Sequence, residues 1–154
     1  MQITKIGGGG EQLSNSWNPN TPGTRYTAML QSLSSSTCRK RGLIVFLGTN
    51  DSRFLPDSQA FEQNLRDFIA GVHSVCPNLP ILIFQNHVGL RQDGTLPYIH
   101  NQIVRDAKEA VSADTACVTL ANIDSADISL DQVHLNDPEG EQVAANSIIN
   151  WTNC

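Results

Sequence analysis

Two short runs in this 154-residue chain combine side chains suited to acyl-transfer chemistry. Asp131-Gln132-Val133-His134 sets a carboxylate and an imidazole three residues apart. At that spacing the carboxylate can accept a hydrogen bond from the ring, fix its tautomer and stabilise the imidazolium that forms when it takes a proton. Gly48-Thr49-Asn50-Asp51 supplies an asparagine just after a glycine turn, and its side-chain amide can donate to a developing oxyanion. Nearer the start, Gly10-Glu11-Gln12-Leu13-Ser14-Asn15 offers Ser14 as a hydroxyl that an imidazole can activate. Each run also has a plain reading. Asp131, Asn50 and Asp51 are ordinary turn residues, His134 an ordinary surface histidine, and Ser14 an ordinary turn cap. Their combination at the ends of successive buried strands is what points to chemistry.

Those strands are legible as apolar runs. Leu43-Ile44-Val45-Phe46-Leu47, Ile81-Leu82-Ile83-Phe84 and Ala116-Cys117-Val118-Thr119-Leu120 read as strands buried on both faces of a parallel sheet, and Ile3-Thr4-Lys5-Ile6 as a short first strand. Between them lie helical periodicities. Thr21-Pro22 opens a helix carrying Tyr26, Met29, Leu30 and Leu33 on one face. Phe61, Leu65, Phe68, Ile69 and Val72 mark a second helix, closed before Cys76-Pro77. Ile99, Ile103, Ala107 and Val111 mark a third. Asp137-Pro138 opens a last one with Val143, Ala144, Ile148 and Trp151 facing inward. Strands alternating with helices predict an α/β fold with a mostly parallel sheet of four to five strands in one domain, residues 1–154. In such sheets chemistry sits beyond the carboxyl ends of the strands. The segments 7–20, 48–57, 85–97 and 121–137 fall there, and they contain Ser14, Asn50, Asp131 and His134.

On these motifs the chain resembles the SGNH (GDSL-type) hydrolases. Their Gly-x-Asn-Asp block after a buried strand is matched by Gly48-Thr49-Asn50-Asp51, and their Asp-x-x-His block before the C-terminal helix by Asp131 and His134. The resemblance implies a three-layer α/β/α, flavodoxin-like fold and ester hydrolysis without a cofactor. It assigns the nucleophile to a serine, the base to His134 and the orienting carboxylate to Asp131. It also places Gly10, Gln12, Gly48 and Asn50 around the oxyanion and substrate. The family's Gly-Asp-Ser-Leu block falls on Gly10-Glu11-Gln12-Leu13, so a gapless match puts Gln12 at the serine position. A two-residue slip makes Ser14 the nucleophile instead, and Ser14-Asn15 then resembles the Gln-Ser-Asn variant of sialate O-acetylesterase-like relatives. The glycine block that supplies a further oxyanion donor has no clear counterpart between Gln31 and Gly42. Many members deacetylate carbohydrates, which makes a small-molecule or glycan ester the expected substrate. The alternative is a catalytically impaired module of the same fold that binds a glycan or serves in an assembly.

Composition narrows the partners. Forty per cent apolar and 16% charged residues suit a globular chain able to bury a core. A net charge of −5 argues against nucleic acid and against an anionic membrane surface. No apolar run reaches the roughly 18 residues a membrane span requires. The opening Met1-Gln2-Ile3-Thr4-Lys5 shows no leader pattern, as expected of a mature chain or a fragment. Cys38, Cys76, Cys117 and Cys154 form no CxxC pair, so a zinc site is not expected. All four fall at the amino-terminal edge of the expected sheet, opposite the candidate site. That grouping predicts Cys38–Cys76 and Cys117–Cys154 disulfides and with them a secreted or extracellular protein, the alternative being four buried free thiols of a cytoplasmic one. His87, after strand 81–84, could contact substrate but reads as a loop histidine. Trp17 could stack on a sugar ring, although a packed aromatic is the simpler reading.

Overall fold

A computed structural model of the chain describes residues 6, 10–21, 23–36, 38, 42–54, 58–88, 98–125, 139–149 and 151. Among them three parallel strands, β1 (Leu43–Val45), β2 (Ile81–Phe84) and β3 (Val118–Ala121), lie side by side in that order. Leu43 pairs with Ile81, and Ile81 in turn with Val118. The helices are α1 (Thr24–Ser35), α2 (Asp51–Phe54), α3 (Ser58–Val75), α4 (Asn101–Asp114) and α5 (Glu139–Ile149). The strand expected at Ile3–Ile6 falls almost wholly outside the described residues.

Alternation along the strands builds two cores. Val45, Ile81 and Ile83 point to one face and pack with Met29 and Leu33 of α1, Phe61, Leu65, Phe68, Ile69 and Val72 of α3, and Val104 and Val111 of α4. Leu82, Phe84 and Ala121 point to the other and meet Ala144 of α5, with Val143, Ile148 and Trp151 beside it. The result is the α/β/α layering expected. Burying each large apolar side chain contributes roughly 1.5–3 kcal/mol. The α3 periodicity is borne out residue by residue, all five positions being at most 1% exposed.

Three local expectations need correction. First, α1 begins at Thr24 with Gly23 at its N-cap, not at Thr21-Pro22. The carbonyl of Ser16 accepts the amides of both Arg25 and Tyr26, so the preceding loop caps the helix through its backbone. A Cβ at Gly23 would lie 2.2 Å from that same oxygen, which is why a glycine stands there. Second, the buried stripe of α4 is Val104, Ala107, Lys108 and Val111, while Ile99 is 79% exposed ahead of the helix and Ile103 is only half-buried. A lysine inside the stripe concealed its true register. Third, β1 ends at Val45 and is not buried on both faces, Ile44 being 36% and Phe46 57% exposed, and β3 starts at Val118, after Cys117, whose φ of 62° lies in the left-handed region.

Cys38 and Cys76 are joined, as expected, at the amino-terminal edge of the sheet. Cys117 is also disulfide-bonded, but its expected partner Cys154 lies outside the described residues. Trp151 fills the same edge, and a Cβ at Gly42 would be 2.1 Å from its ring. Gly42 therefore serves packing at the end of the sheet away from the candidate site.

The Cys38–Cys76 bridge closes a loop of 38 residues around α3, for which chain entropy alone gives about 4 kcal/mol. Cys38→Ser/Cys76→Ser should lower unfolding stability by about 2–4 kcal/mol. Urea denaturation with and without reductant checks this; reductant should shift the unsubstituted chain more than the variant.

Candidate active site

At the carboxyl end of β1 the chain reverses over α4. Gly48 makes this possible in two ways. Its φ of +111° is a conformation open to glycine, and a Cβ there would meet Val104 Cγ1 at 2.8 Å and Asn86 Oδ1 and Lys108 Cε at 3.1 Å. The turn is held by Ser52, whose amide donates to Gly48 O and whose hydroxyl donates to Thr49 O. It runs directly into the short helix α2.

The first side chain of α2, Asp51, is fully buried. Its carboxylate accepts the Leu13 amide at 3.0 Å, the Ser14 amide at 3.2 Å and the Ser14 hydroxyl at 3.3 Å. Burial pushes the Asp51 carboxyl above its usual range, and the Leu13 and Ser14 donors oppose that shift. Beside this clasp, Gln12 Nε2 donates to Asn50 O at 3.2 Å and Asn50 Nδ2 donates to Glu11 O at 3.3 Å. The first loop and the Gly48–Asp51 turn are thus stitched together by side chains from both. Glu11 is tied further, accepting Trp17 Nε1 at 2.8 Å and pairing with Arg25 at 2.7 Å. Trp17 is 7% exposed and packs edge-on to Phe68, so it belongs to the core and presents no face for a sugar.

The carboxyl ends of β2 and β3 carry a second polar cluster. Arg105, 8% exposed, makes two 2.8 Å hydrogen bonds to Asp124 and also reaches Asn86 O. Burial alone would raise the Asp124 carboxyl. The Arg105 bonds and charge, with help from Asn122 and the Val88 amide, hold it below its usual range. Asn86 Nδ2 donates to Asn101 Oδ1, Asn101 Nδ2 to His87 O, and Gln85 Nε2 to Arg105 O and Glu109. Lys108, 1% exposed, donates to Phe84 O at 2.8 Å and Asn86 Oδ1 at 2.7 Å.

Of the expected site residues, Gln12, Ser14, Gly48 and Asn50 come together at one sheet edge. Gly10 precedes them with a φ of +76° and open space where a Cβ would stand. Asp131 and His134 lie outside the described residues. Asp51, Arg105 and Lys108 were not expected as site-builders. The Gly-x-Asn-Asp run contained Asp51, but only the fold reveals that its carboxylate faces the first loop.

This fold is α/β, as in the SGNH hydrolases that the sequence motifs resemble. The chain belongs to the family described as carbohydrate esterase, sialic acid-specific acetylesterase, whose model matches residues 2–147. Among solved structures it is similar to a protein from Arabidopsis thaliana, at 17% identity with a TM-score of 0.68, over 94% of this chain and 59% of that one. It is also similar to a carbohydrate esterase family 3 protein from Talaromyces cellulolyticus, at 14% identity with a TM-score of 0.64, over 90% of this chain and 65% of that one. The chain therefore spans about three fifths of the length of these structures. No curated protein matches it.

The Asp51 clasp makes two predictions. Asp51→Asn presents an NH2 group where one backbone amide now finds an oxygen, and should lower stability by about 1–3 kcal/mol in urea denaturation. Because its folded pKa is raised, Asp51 binds its proton more tightly in the folded chain than in the unfolded one. Its contribution is full below the ordinary carboxyl value and is lost as pH rises through the raised one. The pH–stability slope across that acidic window should flatten in Asp51→Asn.

Proposed function

We propose that this chain is a serine esterase that removes acetyl groups from a carbohydrate. The observation that carries the reading is the clasp at the carboxyl end of β1. A hydroxyl-bearing loop and an asparagine turn meet there through Asp51, in a chain matched over residues 2–147 by a carbohydrate esterase family. Ser14 Oγ attacks the acyl carbon, and its proton passes to His134, which Asp131 orients. Once the hydroxyl hydrogen turns to the imidazole, Asp51 still holds its two backbone donors, so the loop keeps its place. Asn50 Nδ2 exchanges its long 3.3 Å bond to Glu11 O for the oxyanion. Collapse of the tetrahedral intermediate expels the sugar hydroxyl, protonated by the imidazolium. Water, activated by the same imidazole, then releases acetate and restores Ser14. No cofactor enters this scheme. The Cys38–Cys76 bridge supports secretion, and Cys117–Cys154 is the second pairing of this reading.

A second reading, a glycan-binding module without turnover, is favoured by one observation. The amide of Gln12, the residue at the gapless serine position, faces the Asn50 backbone while the Ser14 hydroxyl points at a carboxylate.

Fluorophosphonate labelling and hydrolysis of a short aryl acetate separate the two. For the esterase, the unsubstituted chain labels at Ser14, Ser14→Ala and His134→Ala lose labelling and nearly all turnover, and Asp131→Asn slows it by orders of magnitude. For the binding module, the unsubstituted chain does not label and Gln12→Ser gains activity.

A further inference from the structure

We propose that Lys108 is a positioning residue of this site, its buried ammonium holding the Gly48–Asp51 turn, and through Asp51 the Ser14 loop, in working geometry. The role of the loop rests on the esterase reading above; the positioning itself does not.

Lys108 lies in the middle of α4 and is 1% exposed, its charge bound by two neutral acceptors, Phe84 O and Asn86 Oδ1. Burying an ammonium in a protein core is expensive unless opposite charge stands near. The nearby opposite charge is Asp51, the carboxylate that clasps the Leu13 and Ser14 amides. The Lys108 stem also forms part of the floor under Gly48, 3.1 Å from where a Cβ would stand. One side chain therefore touches the seat of the turn, the end of β2 through Asn86, and the field felt by the clasp. A leucine in this stripe would fill the space without supplying the charge or the two donors.

The charged neighbours set the sign of its pH response. Burial draws Lys108 down to about 7, while Asp51, on α2, opposes that and Arg105, on α4 itself, adds to it. Arg105 is paired with Asp124 beyond β3, and the acceptors from β2 are neutral. Glu109, next on α4, meets the Gln85 amide. As pH rises through about 7, Lys108 loses its charge and Asp51 loses its buried counter-ion. Asp51 then keeps its Leu13 and Ser14 donors but no cation. A neutral amine also holds Phe84 O and Asn86 Oδ1 more weakly, which loosens the floor of the Gly48–Asp51 turn and, through Asp51, Leu13 and Ser14.

The test is amide exchange at Leu13 and Ser14, with Phe68 and Ile69 in α3 as references, alongside acetyl-ester kinetics. In Lys108→Met, exchange at the two loop amides should quicken by about tenfold or more while the references hold. The kcat should fall by a similar factor with KM within about twofold. In the unsubstituted chain, loop opening corrected for the chemical exchange rate should grow as pH rises through about 7, which keeps the test decisive should the variant fail to fold. Loop amides that exchange alike in Lys108→Met and the parent, or an opening that is flat with pH, would overturn the proposal. If the unsubstituted chain hydrolyses no acetyl ester, the esterase reading falls, and the exchange data still decide the role of Lys108.

Discussion

The arrangement of the site follows from one buried carboxylate. Asp51 has no exposure, and a charge so placed is tolerable only when donors surround it. Those donors come from Leu13 and Ser14, 38 and 37 residues earlier in the chain. The need to satisfy Asp51 therefore fixes where the first loop sits on the sheet. Gln12 and Asn50 gain their reciprocal bonds as a consequence. The interaction is long-range, and it couples the geometry of the loop to the turn that β1 and α4 support.

The two edges of the sheet solve different problems. At the carboxyl edge, Arg105, Lys108, Gln85, Asn86 and Asn101 make a polar network inside the protein. Among the described residues every buried side-chain nitrogen or oxygen has a partner. Such networks rigidify when complete and fail when one member is left orphaned. At the amino edge the contacts are apolar and covalent: Trp151 against Gly42, and the Cys38–Cys76 bridge. The bridge stands at the edge away from the candidate site, and the polar edge holds charges that an apolar core would exclude.

The sequence exposes some of this and hides the rest for physical reasons. The apolar faces of α3 and α5 follow from periodicity and the buried run at 81–84 from its composition, because burial there is decided by side-chain type alone, whereas Ile44 of β1 is equally apolar and 36% exposed. The Cys38–Cys76 pairing follows from topology, since helices that return antiparallel to strands bring their ends to one edge. The face of α4 does not follow. Lys108 occupies a core position because Phe84 O and Asn86 await it, and no local pattern announces a lysine with distant acceptors. The N-cap of α1 was obscured similarly: Thr21-Pro22 is a strong local signal, but the carbonyl of Ser16, supplied by the folded loop, decides where the helix starts. The motif residues Gln12, Ser14, Gly48 and Asn50 were readable as a set, yet which hydroxyl or amide faces which acceptor depends on backbone placement that spacing does not encode.

The Ser16 carbonyl has a consequence for the length this first loop can take. It caps α1 at one end of the loop, and Asp51 pins Leu13 and Ser14 at the other. Only Asn15 lies between these anchors. An insertion or deletion there would break one anchor or the other. The spacing from Leu13 to Ser16 is thus set by two anchors at once, and a change of one residue in it costs a hydrogen-bonded contact at the clasp or at the helix cap.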